Sequence, residues 1–301
     1  MHYVFILNPL AGPGGIEEKL AEQIKQLPEA KDCELYITKE EKDATRYVRD
    51  YCQKHPDEEI RFIACGGDGT ISEVFNGAMG QPNVSVTCYP CGSGNDFVKS
   101  FGGSEKFLDL HKLIQAKTQD LDMLKVNDEY SNNVVNFGFD ATVAIKVQED
   151  RKKYGHGSKS SYTKGILVAL VKSMRNKFKV YADGKLLNPS GEAMMCTLGN
   201  GQYVGGSFRC APRAITNDGL MEVCLIRTVS RLRFPFVLPS YVKGTHLDNE
   251  KYKDIFTYCR ARKVEVEAPE GFALSRDGEI VYGTHFIIEV IPAALKLAVP
   301  E

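Results

Sequence analysis

The chain has 301 residues, enough for two domains at about 150 residues each. Its 38 basic side chains meet 39 acidic ones, a net charge of −1 that supplies no global field for nucleic acid and excludes a dedicated DNA or RNA binder. Hydrophobic residues at 43% and charged residues at 26% are ordinary globular values, and the longest apolar stretches, such as 165–171, fall far short of a membrane span.

The chain opens on an apolar run, 3–7, with no basic stretch before it and no small-residue cleavage site after it. This argues against a secretory signal and for the cytoplasm. Of the nine cysteines, Cys65, Cys88, Cys196 and Cys224 sit in β-like apolar runs and read as reduced small hydrophobes. Cys88 and Cys91 form a CxxC, but no second pair with zinc spacing accompanies it.

Residues 2–7 read as a buried strand, and Ile16, Leu20, Ile24 and Leu27 follow at helical spacing. A strand over 33–38 precedes a helix with Ala44, Tyr47, Val48 and Tyr51 on one face and a stop near His55-Pro56. A third strand, 61–65, leads to a helix striped by Ile71, Val74, Phe75 and Ala78, and a fourth strand spans 84–89. Strands alternating with helices predict a parallel sheet with right-handed crossovers, a Rossmann-like three-layer domain that binds ligands beyond the carboxyl ends of its strands. After about Gln119 the texture changes to short β-like runs (134–139, 179–182, 194–198, 220–226, 263–267 and 286–291) punctuated by Asp-Gly and Asn-Gly turns. This predicts a mostly antiparallel second domain, a β-sandwich, interrupted by a helix over 162–175 and by a stretch over 230–242 broken at Pro235 and Pro239. The domains so read are 1–125, with 283–301 returning to it, and 126–282.

Three segments fall at the carboxyl ends of the first strands: Asn8-Pro9, Gly66-Gly67-Asp68-Gly69-Thr70 and Gly92-Ser93-Gly94-Asn95-Asp96. Glycines there let backbone N–H groups approach phosphate oxygens at a positive helix N-terminus. Taken alone, the first glycine cluster is equally a tight turn with Asp68 or Thr70 capping the helix; the second cluster beside it favours the phosphate reading. No GxxxxGK[ST] occurs, and Gly12-Pro13-Gly14-Gly15 does not complete a GxGxxG.

Asn8-Pro9-x-Ala11-Gly12, Gly66-Gly67-Asp68-Gly69-Thr70-Ile71-x-Glu73-Val74-x-Asn76-Gly77 and Gly92-Ser93-Gly94-Asn95-Asp96-Phe97 resemble the catalytic domain of the soluble diacylglycerol kinase family. That family includes sphingosine and ceramide kinases and shares its fold with NAD kinases. The resemblance continues in order through Leu121-Asp122, Asn136-x-Gly138-Phe139-Asp140, Gly205-Gly206, Asp218-Gly219-Leu220 and Asp277-Gly278-Glu279. It implies an NAD kinase/diacylglycerol kinase-like fold and an ATP-dependent kinase that passes the γ-phosphoryl group to a lipid hydroxyl, with diacylglycerol the leading acceptor. Other acceptors stay open (a sphingoid base, phosphatidylglycerol or NAD), as does a nucleotide- or lipid-binding module without turnover.

Carried residue by residue, the resemblance implies ATP contacts from Asn8, Pro9, Gly12, Thr38, Gly66, Gly67, Asp68, Gly69, Thr70, Glu73 and Ser93. Asp68, Asp96 and Asp122 resemble the carboxylates that organise Mg²⁺ and water around the phosphates, which cannot meet carboxylates without a cation between them. Glu279 resembles the general base for the lipid hydroxyl, although an Asp-Gly hairpin with a solvated glutamate reads equally from the residues alone. Asp218, Leu220 and Ile215 resemble a second, structural Mg²⁺ site, weakened because Ile215 offers only its carbonyl; a plain Asp-Gly turn remains the alternative.

The partners so implied are ATP and a lipid substrate at the inner membrane surface, with no nucleic acid and homodimerisation left open. Arg151, Lys152, Lys153, Lys159, Lys164, Lys172, Arg175, Lys177 and Lys179 cluster around the 162–175 helix. They read either as a patch for anionic lipid or as the solvated face of a helix packed on the sandwich.

Overall fold

A computed structural model describes residues 1–12, 14–154 and 159–301. The chain forms two compact units, Met1–Met123 with Pro292–Glu301, and Leu124–Ile291.

The first unit alternates β1 (His2–Leu7), α1 (Ile16–Lys25), β2 (Cys33–Ile37), α2 (Asp43–Lys54), β3 (Ile60–Gly66), α3 (Asp68–Ala78) and β4 (Val84–Pro90), then α4 (Asp96–Lys99), α5 (Leu110–Gln115) and the start of β5 (Thr118–Val126). β3 pairs in parallel with β1 and β4, and β1 with β2. Such pairing requires crossovers, and the right-handed rule puts α1 on one face of the sheet and α2 and α3 on the other. α2 and α3 do pack together, so closely that a Cβ on Gly77 would lie 2.7 Å from Val48 Cβ. The predicted helical faces are buried: Leu20 in α1, Ala44 and Val48 in α2, and Ile71, Val74, Phe75 and Ala78 in α3. Leu27 lies beyond the end of α1 and is half-buried.

One buried cation ties this unit together. The Arg61 guanidinium in β3 donates to Ser85 Oγ and to the carbonyls of Leu113 and Ile114 at the end of α5. Helix-terminal carbonyls have no partners within their own helix, so a guanidinium there satisfies them while meeting its own need for acceptors.

The second unit continues with β6 (Glu129–Ser131), β7 (Val134–Gly138), α6 (Phe139–Tyr154), α7 (Lys159–Lys172), β8 (Asn176–Lys177), β9 (Lys179–Ala182), β10 (Lys185–Leu186), β11 (Glu192–Ala193), β12 (Met195–Gly199) and β13 (Met221–Ile226). α8 (Phe234–Lys243), β14 (Phe256–Ala261), β15 (Lys263–Glu267), β16 (Ala273–Arg276), β17 (Glu279–Tyr282) and β18 (His285–Ala298) follow. One antiparallel sheet has the order β14-β13-β12-β7-β16-β17; β10, β9, β15 and the first half of β18 form another. Val135, Phe137, Leu198 and Leu225 from the first meet Val180, Val264, Val266 and Phe286 from the second in one core, so the unit is a β-sandwich. β15 has the expected alternation, with Val264 and Val266 inside and Lys263, Glu265 and Glu267 outward.

Helices α6, α7 and α8 cover the other face of the six-stranded sheet, burying Val134, Cys224 and Ile226 against Val143, Ala169, Val237 and Tyr241. β12 and β13 are therefore buried throughout. α6 was not expected, because its charged run masks the Phe139, Val143, Val147 spacing that faces the sheet. α7 ends at Lys172 rather than near 175, with Arg231 taking the carbonyls of Leu170 and Val171 and Asn176 Nδ2 that of Ser173. Nor is the stretch 230–242 broken: α8 begins late enough for Pro235 to fall in its first turn, where no donor is needed, and it tolerates Pro239 inside.

The chain passes between the units twice, within β5 and within β18. Residues 285–289 of β18 pair with β15 in the second unit, so the return to the first begins at Pro292 rather than at residue 283. There Lys296 and Leu297 pair in parallel with Ser85 and Val86 of β4, and Thr87 Oγ1 donates to the Ala298 carbonyl at 2.7 Å. Among the described residues no helix is long and apolar enough to cross a membrane.

Candidate active site

In a parallel sheet all strand ends of one sense lie along one edge, and here that edge gathers the loops after β1, β3 and β4. The Asn8 amide donates to Thr70 Oγ1 at 3.3 Å, and the Cys91 N–H donates to the Gly66 carbonyl at 3.0 Å. The glycines are steric requirements: a Cβ on Gly66 would lie 2.2 Å from Thr70 Oγ1, and one on Gly92 would lie 2.4 Å from Gly67 Cα. Thr38 follows β2 along the same edge, its N–H bonded to the Leu7 carbonyl. Pro9, Gly12 and Ser93 are exposed on these loops, and Gly69 is exposed in the first turn of α3.

The α3 N-terminus is left without a side-chain cap at Gly67. Neither Asp68 nor Thr70 serves as the helix cap that the sequence left open. Asp68 Oδ1 instead accepts the N–H groups of Asp96 (2.6 Å) and Phe97 (3.2 Å), capping α4 from the neighbouring loop. The first-turn N–H groups of α3 thus form a positive end facing the glycine loops.

Asp68 and Asp96 make the electrostatic centre of this edge. Gly94 leaves room between them: a Cβ there would sit 2.8 Å from Asp68 Oδ2 and 3.7 Å from Asp96 Oδ2. Desolvation, then the nearby Asp96 charge, raises the Asp68 carboxyl well above the usual carboxylate range. Lys99 Nζ, 2.6 Å from Asp96 Oδ1, partly offsets the repulsion. Two carboxylates held this close suit a hard cation. Among the described residues no three His, Cys, Asp or Glu side chains converge, so a cation here would rest on this pair and on water or phosphate oxygens, the mode Mg²⁺ favours.

Two other expected contributors have structural partners. Glu73 Oε1 accepts the Lys42 N–H at the start of α2, while its carbonyl accepts from Thr45 Oγ1, so Glu73 ties α3 to α2. Asp122, buried in β5, accepts the Ala293 N–H at 2.8 Å, where β18 takes a left-handed backbone step at φ 48°.

Glu279, Asp218, Leu220 and Ile215 lie in the second unit. Glu279 opens β17 half-buried, its Oε2 2.5 Å from Arg276 Nη2. Arg276 is itself buried and also pairs with Glu129. Asp277 is caged: its carboxylate accepts from Ser131 Oγ and from the N–H groups of Asn132, Asn133 and Val134. The Asp-Gly turn is thereby anchored to the β6–β7 loop, which fixes where Glu279 starts.

Asp218, expected to hold a second Mg²⁺, has protein partners for both oxygens. Its Oδ2 pairs with Arg260 and its Oδ1 accepts the Leu220 N–H, while Ile215 is an exposed apolar side chain. A carboxylate already paired with a guanidinium is a poorer cation ligand than a free one.

Sequence reasoning gave no role to Asp140, at the start of α6. Desolvation raises its carboxyl to about 7, and one of its oxygens has no hydrogen-bond partner. Nearby, burial depresses His246 to about 4; its ring lies between Tyr241 and Phe256 and meets Cys224 Sγ. The available signal was an aspartate directly after Gly138-Phe139 in an otherwise apolar run.

Residues 2–126 match the diacylglycerol kinase catalytic domain, and residues 133–299 match the YegS C-terminal NAD kinase beta sandwich-like domain. A protein named probable lipid kinase YegS-like from Alcanivorax borkumensis is 30% identical over 273 residues, covering 88% of this chain and 86% of that one. One of the same name from Serratia proteamaculans is 31% identical over 299 residues, covering 96% and 91%. Among solved structures, a diacylglycerol kinase from Bacillus anthracis str. Sterne is similar at TM-score 0.72 and 22% identity, covering 99% of this chain and 96% of that one. An NAD kinase from Archaeoglobus fulgidus in complex with ATP is similar at TM-score 0.52 and 12% identity, covering 100% and 94%; at such identities the likeness bears on the fold alone. With both domain models matched in order and relatives similar along nearly the whole chain, the protein belongs to the YegS-like lipid kinase family.

Proposed function

We propose that this protein transfers the γ-phosphoryl group of ATP to a lipid hydroxyl, with diacylglycerol as the leading acceptor. The observation that carries the reading is the Asp68–Asp96 pair beside the uncapped α3 N-terminus, flanked by Gly66, Gly92 and Gly94, where an added Cβ would clash. Phosphoryl transfer needs little covalent help from protein and much positioning and charge neutralisation, which such an edge supplies.

In this reading the N–H groups of 67–70 and the Ser93 hydroxyl bind the phosphates, and Asn8 holds Thr70 in place for them. Asp68 and Asp96 would hold Mg²⁺, which when bound neutralises phosphate charge. Glu279 takes the proton of the attacking hydroxyl, and the Asp277 cage fixes the turn from which it projects. Asp122 supports the reading as a positioning residue, through its bond to Ala293.

The test is incubation with [γ-³²P]ATP and Mg²⁺ against diacylglycerol, phosphatidylglycerol, a sphingoid base and NAD. Label is expected in the phosphorylated diacylglycerol. Label only in another acceptor would replace the substrate and keep the reaction; ATP binding with no labelled product from any acceptor would overturn the kinase reading.

A further inference from the structure

Acidic residues are absent from two stretches of the second unit, 159–182 and 223–247. With 39 acids in 301 residues, about six would be expected over that combined length. The same stretches carry ten lysines and arginines, from Lys159 to Lys179 and from Arg227 to Lys243. The fold brings the two together. Arg231 donates from Nε to the Leu170 carbonyl (2.7 Å) and from Nη2 to the Val171 carbonyl (2.8 Å), fastening the segment before α8 to the end of α7. Val171, Lys172, Arg175, Arg231 and Leu232 line one shallow groove at this junction.

This basic surface also exposes large apolar side chains. Leu167 and Val171, one turn apart on α7, are 60% and 69% exposed. Leu232 and Phe236, at the same spacing through the turn that opens α8, are 86% and 73% exposed. The outer side of α8 adds the exposed Pro235 and Pro239, with no charge before Lys243. Glu192 and Asp254 reach the area but are paired with Arg175 and Arg233, and Asp150 faces Lys146 and Lys164. The side chains of Arg151, Lys152 and Lys159, which belong to the basic set, lie outside the described residues.

We infer that this surface docks on an anionic lipid bilayer, the apolar side chains of Leu167, Val171, Leu232 and Phe236 entering the acyl boundary while Lys164 and Lys172 meet headgroup phosphates. Apolar side chains set among like-signed cations match a bilayer interface in both of its attractions, burial of apolar area and attraction to anionic headgroups. An aqueous protein partner would have to pair the same cations with acids while burying the same apolar groups. The surface differs from the basic helix read in the sequence, because two of its four apolar side chains, Leu232 and Phe236, come from the turn that opens α8. It is independent of the catalytic proposal, since docking needs neither ATP nor turnover.

The chain contains no tryptophan, so Phe236→Trp places a single reporter in the patch. On adding vesicles of phosphatidylglycerol and phosphatidylcholine its emission should shift to the blue; with phosphatidylcholine alone, or at high salt, the shift should be much smaller. In co-sedimentation with the same mixed vesicles, Leu232→Ser and Phe236→Ser should each weaken binding about tenfold, since each withdraws one large apolar side chain. Lys164→Glu with Lys172→Glu should abolish the preference for anionic lipid. All four positions are outward, and unchanged thermal unfolding of the variants in the absence of lipid would establish that the fold is intact. No blue shift with anionic vesicles, or equal binding by Leu232→Ser and Phe236→Ser, would overturn the inference. A blue shift that grows with protein concentration before lipid is added would also overturn it, in favour of a second copy of the chain.

Discussion

Asp68-Gly69 opens α3 in the first unit and Asp277-Gly278 turns from β16 to β17 in the second: the same dipeptide, each just after a strand. Asp277 accepts from one hydroxyl and three backbone N–H groups, so its charge is consumed in holding a loop. Asp68 accepts two N–H groups on one oxygen and turns the other towards Asp96. What separates a structural from a chemical aspartate here is the supply of donors. Where donors saturate the carboxylate it serves the fold, and where one oxygen instead faces a second carboxylate the charge is raised in energy, which is what the proposed cation site rests on.

The largest expected effect tests whether the Asp277 turn exists to present its neighbour. Glu279→Gln should lower turnover about 10²- to 10⁴-fold, the usual range for a lost general base, with ATP affinity little changed. Near-normal turnover would make the second-unit turn structural throughout. Asp277→Ala should do the opposite in kind. It orphans three buried N–H groups and removes a buried charge that holds them, so urea unfolding should report a loss of about 3–5 kcal/mol. A loss below about 1 kcal/mol would mean the cage is not worth what its donors suggest.

Asp68→Asn should act through pH. Burial and Asp96 raise the Asp68 carboxyl above its unfolded value of 3.8 towards about 6, so the fold favours the protonated form. The contribution is complete below about pH 4 and is lost as pH rises through about 6. The variant should therefore gain on the parent by about 1–3 kcal/mol across that window. Adding Mg²⁺ at pH 7.5 should raise the thermal midpoint of the parent and leave that of Asp68→Asn in place. A pH-independent difference would break the comparison.

The smallest effect belongs to a third Asp-Gly, Asp218-Gly219. Because its carboxylate pairs with the partly exposed Arg260, Asp218→Asn should cost less than about 1 kcal/mol and leave any Mg²⁺ response unchanged. A Mg²⁺-dependent loss of stability would restore the second metal site.

The first unit was legible because its periods contrast: Ile71, Val74, Phe75 and Ala78 can lie on one face only in a helix, and the apolar runs on either side are too short for one. The second unit was legible in its inner strands but not in α6, where burial of one narrow face needs few apolar residues. Glycine loops announce themselves because Gly66 and Gly92 answer to steric demands, the first of the Thr70 side chain and the second of the Gly67 backbone. The partners of carboxylates do not, because they are distant in sequence. Asp277 finds Ser131 146 positions away, and nothing local to Glu73 indicates that its carboxylate accepts the Lys42 N–H 31 positions back.

The strand that returns beside β4 sets a schedule for synthesis. Thr87 and Ala298 are bonded across 211 positions. At ribosomal rates of about 5–20 residues per second, β4 waits roughly ten to forty seconds for its last neighbour. For that interval the nascent sheet carries a bare edge next to a buried, apolar strand, the kind of surface that chaperones recognise and that aggregation exploits. The nucleotide-side loops emerge early, but the sheet beneath them closes only when the last strand arrives.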